Sequence, residues 1–274
     1  MLAIAFAVVR VFWPQPSPVR KTPSQVTAKK KKAVLPAKKA VTIPWMAPSQ
    51  KQPPPEMAII LDDWGPSGSL VDEVLQFGKP VTLAVIPHLR RSAEVAEEAH
   101  AHGLGVMLHM PMQPKNAKPS EPKTLMTSTS SGEIRRLLDE ALSSVPYAEG
   151  VNNHQGSAAT SDLRVMRTML AHLKKKGLFF VDSKVIATST AFQAARETGI
   201  PFASRDLFID NVATVDAVKE KLRDALRLAQ SRGRVVVIGH DRSVTLEALR
   251  QMVPEIDKSG VKLVLAREMV ESVQ

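Results

Sequence analysis

The abrupt change of pattern at Met57 constrains this chain more than any other feature. From there to the C-terminus, short apolar runs alternate with longer stretches of helical period, the pattern of repeated βα units. The spacing predicts strands over Met57–Leu61, Val81–Ile86, Gly105–Leu108, Gly150–Asn152, Leu178–Val181, Leu207–Ile209, Val235–Ile238 and Val261–Leu265. Apolar residues three and four apart predict helices over Ala93–His102, Ile134–Ser143, Leu163–Lys176, Val215–Ser231 and Leu246–Lys258. Ser130 and Glu133 have the spacing of a capping box at one helix start. Continuously apolar strands are buried on both faces, hence a parallel sheet covered by helices. The expected fold class is α/β, a distorted or incomplete parallel (β/α) barrel of seven to eight strands over residues 57–274, with an open doubly wound sheet as the competing architecture.

Before Met57 the composition is of another kind. Residues 1–13 are apolar apart from Arg10, which suggests a truncated signal or membrane anchor. Residues 14–56 carry Lys29-Lys30-Lys31-Lys32, Lys38-Lys39 and Pro53-Pro54-Pro55, and ten of the 20 prolines lie before Glu56. A stretch this polar cannot bury enough apolar area to offset its ordering entropy, so it is expected to be a disordered linker. Its charge suits contact with a membrane or other anionic surface. The expected location is the cell envelope, on the periplasmic or extracytoplasmic side.

Charge excludes one function class. Of the net +10, residues 1–56 supply +9, with ten Lys and Arg against Glu56 alone. The remaining body is nearly neutral and only 4% of the chain is aromatic, so it offers neither a basic stripe for a phosphate backbone nor stacking platforms for bases. Nucleic acid is not an expected partner. With no cysteine, disulfide frameworks, zinc ribbons and thiol chemistry are also excluded.

The chemical signal lies at the ends of the strands. Asp62-Asp63, His109, Asn152-Asn153-His154, Asp182, Asp210 and His240 each sit at or just past the carboxyl end of a predicted strand. Taken singly, an Asp or Asn there caps a helix or makes a turn. Together they matter, because parallel strands bring their carboxyl ends to one rim, where this architecture binds ligands. His109 and His154 with a carboxylate from Asp62-Asp63 would hold a divalent metal and leave positions open, zinc being the most economical choice. Successive strand residues point to opposite sides, so Asp62 and Asp63 are expected to differ in role. His88 follows the second strand, whereas His100, His102 and His172 fall in helical stretches.

At these residues the sequence resembles the divergent polysaccharide deacetylases, a distant branch of the metal-dependent carbohydrate esterases. The segments that carry the resemblance are Ile60-Leu61-Asp62-Asp63-Trp64-Gly65, Leu108-His109-Met110-Pro111-Met112, Gly150 to Ser157, Phe180-Val181-Asp182-Ser183 and Ile238-Gly239-His240, and it extends over essentially all of residues 57–274. It implies Asp62 as catalytic base, Asp63, His109 and His154 as metal ligands, and His240 as the acid that protonates the leaving amine. Asn152, Asn153, Asp182, Lys184, Arg205 and Asp210 are the expected substrate-binding residues. Two positions depart from the family pattern: Gln113 stands where a second histidine of the metal motif is usual, and Lys184 replaces an arginine. The implied function is metal-dependent hydrolysis of N- or O-acetyl groups on an envelope glycan. The alternatives are a non-catalytic glycan-binding or envelope-organising protein on the same fold, and a metal-dependent phosphoesterase.

Overall fold

Strand alternation sorts the apolar residues into two layers. In the computed structural model, which describes residues 53–67 and 70–273, Met57, Ile59 and Leu61 of the first strand pack outward against helices, while Ala58 and Ile60 point into the concave face of the sheet. The inner cluster is small: Ala58, Ile60, Ala84, Met107, Phe179, Val181, Val236, Ile238, Val264, Ala266 and Met269. The outer cluster is far larger and holds the apolar stripes of the helices, so most of the burial that stabilises the domain lies between sheet and helices. Truncating a fully buried residue of this layer, such as Leu61→Ala, costs about 2–5 kcal/mol.

The strands are β1 (Glu56–Trp64), β2 (Thr82–Val85), β3 (Gly105–Met112), β4 (Gly150–Gln155), β5 (Phe179–Asp182), β6 (Pro201–Ser204), β7 (Leu207–Phe208), β8 (Arg234–His240), β9 (Lys262–Val264) and β10 (Glu271–Ser272). They form one sheet in the order β10-β6-β5-β4-β3-β2-β1-β8-β7, with β9 also pairing with β1. Every ladder is parallel except that of β10 with β6. No ladder joins β6 to β7, so the curved sheet stays open there, an incomplete barrel. The helices are α1 (Val71–Phe77), α2 (Ser92–Ala101), α3 (Ser131–Ser144), α4 (Leu163–Lys175), α5 (Ala191–Thr198), α6 (Val215–Arg232) and α7 (Ser243–Ser259).

Each of the eight expected strands has a counterpart, but the sheet has ten members. β6 begins at Pro201 and β10 has two residues, too little pattern for periodicity to register. Short α1 and α5 also lay below the periodic signal. Ser130 caps α3 by accepting from the Glu133 amide at 3.3 Å, while the Glu133 carboxylate turns to Arg136 instead of closing the box. Asp162 and Thr214 cap α4 and α6 in the same way. The apolar segment 1–13 and the linker up to residue 52 lie outside the described residues; Pro53 to Pro55 carry no regular structure, and Glu56 already belongs to β1. Among the described residues no helix is long and apolar enough to cross a membrane.

Candidate metal centre

The inward register places the polar residues. Along β1 the concave-facing positions are Ala58 and Ile60, and the next in that series is Asp62. The same count carries Met107 to His109 on β3, and Val236 and Ile238 to His240 on β8. Asp62 and His240 are register partners across β1 and β8, and His109 pairs with Asn152 across β3 and β4.

Asp63 reaches the same space by breaking the alternation. The β1/β2 register shifts between Leu61 and Trp64, and Asp63 has φ +72°, a left-handed conformation unusual outside glycine. Both carboxylates therefore approach one imidazole: His109 Nε2 lies 3.3 Å from Asp63 Oδ1 and 3.6 Å from Asp62 Oδ2. The expectation that neighbouring residues must face opposite ways fails here because of the bulge. The two acids still differ, Asp62 being almost completely buried and Asp63 partly open. His88, Gln155 and Lys184 also have positive φ and lie just past β2, at the end of β4 and just past β5, so local strain gathers at this rim.

Asp63, His109 and His154 offer three donor atoms within 4.8 Å of one another. Asp63 Oδ1 is 3.3 Å from His109 Nε2 and 3.1 Å from His154 Nδ1. Bonds of about 2.0–2.1 Å in a tetrahedral arrangement separate neighbouring donors by about 3.3 Å; the two Asp63 separations match that spacing, and three protein donors on one small cation would leave a coordination position free. The two rings face that point through different nitrogens, each fixed by a partner on the other. His109 Nδ1 lies 2.8 Å from Asn152 Oδ1, and His154 Nε2 lies 2.9 Å from Ser120 Oγ. With the ring N–H donated to those oxygens, Nε2 of His109 and Nδ1 of His154 keep their lone pairs for a metal.

Electrostatics follow the geometry. Burial works to raise the Asp63 carboxyl, but its hydrogen bonds to His109 and His154 prevail and hold it far below the usual carboxylate range. Burial disfavours a charged His109, yet Asp62 and Asp63 together push it up to about 9. Burial raises the Asp62 carboxyl against the pull of His109 and of the Asn152 amide, which donates to Asp62 Oδ1 at 2.8 Å. Asn152 thus links the His109 ring to Asp62.

His240 is built differently. Asp210 is fully buried and accepts from the His240 amide at 2.7 Å, from His240 Nδ1 at 2.8 Å and from the Thr245 hydroxyl at 2.7 Å. Burial lowers His240, and the Asp210 hydrogen bond and charge outweigh it, so its pKa is raised. This is an oriented histidine–carboxylate pair whose Nε2 edge remains for a ligand. Gly239 permits the approach, because a Cβ there would stand 3.1 Å from the Ile209 side chain and 3.0 Å from that of Thr245.

Several residues expected to bind substrate are engaged by protein groups. Asn152, Asn153, Asp182 and Asp210 are buried, and their polar atoms meet protein partners. Asn153 accepts from the Ser183 amide at 2.9 Å and donates to Gln155 O at 2.8 Å. Asp182 accepts from the Lys184 amide and the Ser189 hydroxyl, each at 2.8 Å, and burial raises its pKa. Lys184 and Arg205 do reach the accessible rim, Lys184 exposed and Arg205 half-buried. Gln113 is no ligand: its Oε1 accepts from the Thr127 amide at 2.7 Å and the Thr127 hydroxyl at 2.9 Å, pinning the loop between β3 and α3. His88, His100, His102 and His172 take no part, for His88 is exposed, His100 stacks on Tyr147, His102 meets Glu98 O and His172 meets Asp139.

Two neighbours carried no sequence signal. Ser120 sits in the long loop before α3, where neither period nor motif marks it. Asp241 follows His240, and burial together with the charge of Asp63 pushes its carboxyl up to about 7.

Comparison with known proteins bears on the fold and the family. YibQ of Escherichia coli K12, an uncharacterised protein, is 35% identical over 198 residues, 72% of this chain and 62% of its own length, so this chain spans less than two thirds of that relative. An uncharacterised protein of Agrobacterium tumefaciens C58 shares the fold with a TM-score of 0.76 at 20% identity, over 81% of this chain and 92% of that one. The fold recurs in a CE4-family pseudoenzyme of Bacillus anthracis (TM-score 0.54, 12% identity, 80% and 66% covered) and in a family 4 carbohydrate esterase of Streptomyces lividans in complex with acetate (0.52, 17%, 80% and 96%). Residues 59–270 match the family described as divergent polysaccharide deacetylase, and the chain belongs to that family.

Proposed function

We propose that this protein hydrolyses N- or O-acetyl groups on an envelope polysaccharide, with a divalent metal, zinc by its donor set, held by Asp63, His109 and His154. The observation that carries the reading is the pairing of Asp62 with His240 across β1 and β8, which sets a carboxylate and an oriented imidazole at one rim with the metal-binding trio. A bound ion would polarise the acetyl carbonyl and acidify a water. Asp62, 3.6 Å from His109 Nε2, takes the proton of the attacking water at its Oδ2 side, while Oδ1 is held by Asn152. His240, kept protonated by Asp210, delivers a proton to the departing amine or alcohol. The apolar and then Lys- and Pro-rich composition of residues 1–56 supports action in the envelope.

Acetate release from chitin oligomers and peptidoglycan fragments tests the reading. Asp62→Ala is expected to abolish release while metal stays bound, and undiminished turnover would remove Asp62 from the mechanism. A second reading, glycan binding without turnover, draws on the pseudoenzyme that shares this fold. Metal content and glycan binding with no acetate release would establish it instead.

A further inference from the structure

Beside His240 the rim carries three cations, Lys184, Arg205 and Arg242, that contact no carboxylate among the described residues. Arg205 follows β6 and is half-buried, yet no carboxylate lies within ion-pair distance of it among the described residues. Its Nε donates to Ser183 O at 2.6 Å and its Nη2 to Lys184 O at 2.9 Å, while the guanidinium lies 3.7 Å from the Phe208 ring centroid. Phe208 stacks in turn on His240 at 5.8 Å between ring centroids. Arg242, exposed two residues past His240, is anchored by one bond from its Nη1 to Asp210 O at 3.0 Å. Lys184, whose carbonyl Arg205 holds, is exposed and likewise lacks an acidic partner among the described residues.

Many of the chain's other arginines pair with acids, although Arg164 too is held by carbonyl oxygens, those of Thr127 and Thr129. Arg91, Arg136, Arg167, Arg223, Arg227 and Arg250, all on or beside helices, each meet a carboxylate. Arg205 and Arg242 are instead fixed by neutral carbonyl oxygens, which set their direction without neutralising them. Two of the five N–H groups of Arg205 are used, and one of those of Arg242. Asp182, Asp206 and Asp62 act on Arg205 through space without contacting it. A guanidinium held in place with N–H groups to spare is suited to a planar or tetrahedral oxyanion.

We propose that Arg205 and Arg242, with Lys184, form an anion-recognition subsite beside the reacting acetyl group, so that the substrate is an acidic glycan carrying a carboxylate or phosphate near the acetylated position. The proposal rests on the hydrolase reading above and names its substrate class. Anions on the sugar meet the arginines on the His240 side, while the acetyl group lies toward Asp63. A neutral acetylated glycan leaves these cations unpaired in the complex and loses that part of the binding.

The test is binding of three probes to the metal-loaded protein at low salt, by titration calorimetry: a neutral N-acetylglucosamine tetramer, a tetrasaccharide alternating N-acetylglucosamine with carboxylated N-acetylmuramic acid, and a phosphorylated N-acetylglucosamine oligomer. At least one acidic probe is expected to bind at least about tenfold tighter than the neutral one, the size of a charge-assisted hydrogen bond, and which one identifies the anion. The preference is expected to fall within about twofold of unity in Arg205→Gln/Arg242→Gln and to survive in large part in Arg205→Lys/Arg242→Lys. Should the double variant fail to fold, Arg242→Gln alone, altered at an exposed side chain, is expected to lose part of the preference. Equal binding of all three probes, or a preference untouched by these variants, overturns the proposal. Acetate release measured alongside separates the two claims: charge-selective binding without release refutes hydrolysis and leaves the subsite, and release with no charge preference does the reverse.

Discussion

Nδ1 of His109 lies 2.8 Å from Oδ1 of Asn152, and that contact decides which nitrogen of the ring faces the candidate cation. Asn152 also donates to Asp62, so one buried amide sets both a ligand and the proposed base. Asn152→Ala is expected to weaken divalent-metal affinity by about 10–100-fold, the usual cost of losing a partner that orients a ligand. Chelator competition measures this, and unchanged affinity would mean that the His109 ring is held by packing alone.

The alkaline limb of the pH–rate profile is expected to belong to His240. Its pKa is raised in the folded protein, so the protonated ring persists over a wider range and is lost as pH climbs through that raised value. Asp210→Asn removes the charge that raises it, so the limb moves to lower pH and kcat falls at least about tenfold. A limb that stays where it was would assign it to another group.

Gln113 is expected to matter for stability and little for metal. Gln113→Ala leaves the Thr127 amide and hydroxyl without their acceptor, a loss of about 1–3 kcal/mol in denaturant unfolding. Metal affinity within about twofold of the wild type accompanies it; a much larger drop would make Gln113 part of the centre.

How much of this was legible beforehand varies with the length of the pattern. β1, β3 and β8 are long and largely apolar, and each carries its polar residue, Asp62, His109 or His240, at or within three residues of its carboxyl end, so the run and its interruption marked both the strand and the candidate site. β6 opens on Pro201 and spans four residues, and α5 spans eight, lengths at which period carries little information. The site was readable as a set of residues and not as a set of roles. Asp210 and Asn152 look alike in sequence to residues that contact sugars, whereas in the fold they are buried and hydrogen-bonded to His240 and His109. Strand alternation set Asp62 and Asp63 on opposite faces, whereas the left-handed backbone at Asp63 brings them to one ring. Ser120 meets His154 across 34 residues of chain, a separation that leaves no local trace.

Asp241 gives a pH-dependent stability with a definite sign. A carboxyl raised to about 7 in the folded protein from 3.8 contributes stability below the lower value, and that stability is lost as pH rises through the upper one. Asp241→Asn carries no such charge, so in metal-free protein its stability relative to the wild type is expected to improve between pH 4 and pH 8. Denaturant melts across that range check it, and a difference that does not change with pH contradicts it.

Metal content after exhaustive dialysis shows whether Asp63, His109 and His154 close on a single cation. One divalent ion per chain is expected in the wild type and in Asp62→Asn. Loss of that ion is expected in each of Asp63→Ala, His109→Ala and His154→Ala, with the fold intact by circular dichroism. A folded wild type that retains no ion when supplied with zinc, or full retention in the three ligand variants, would contradict the account.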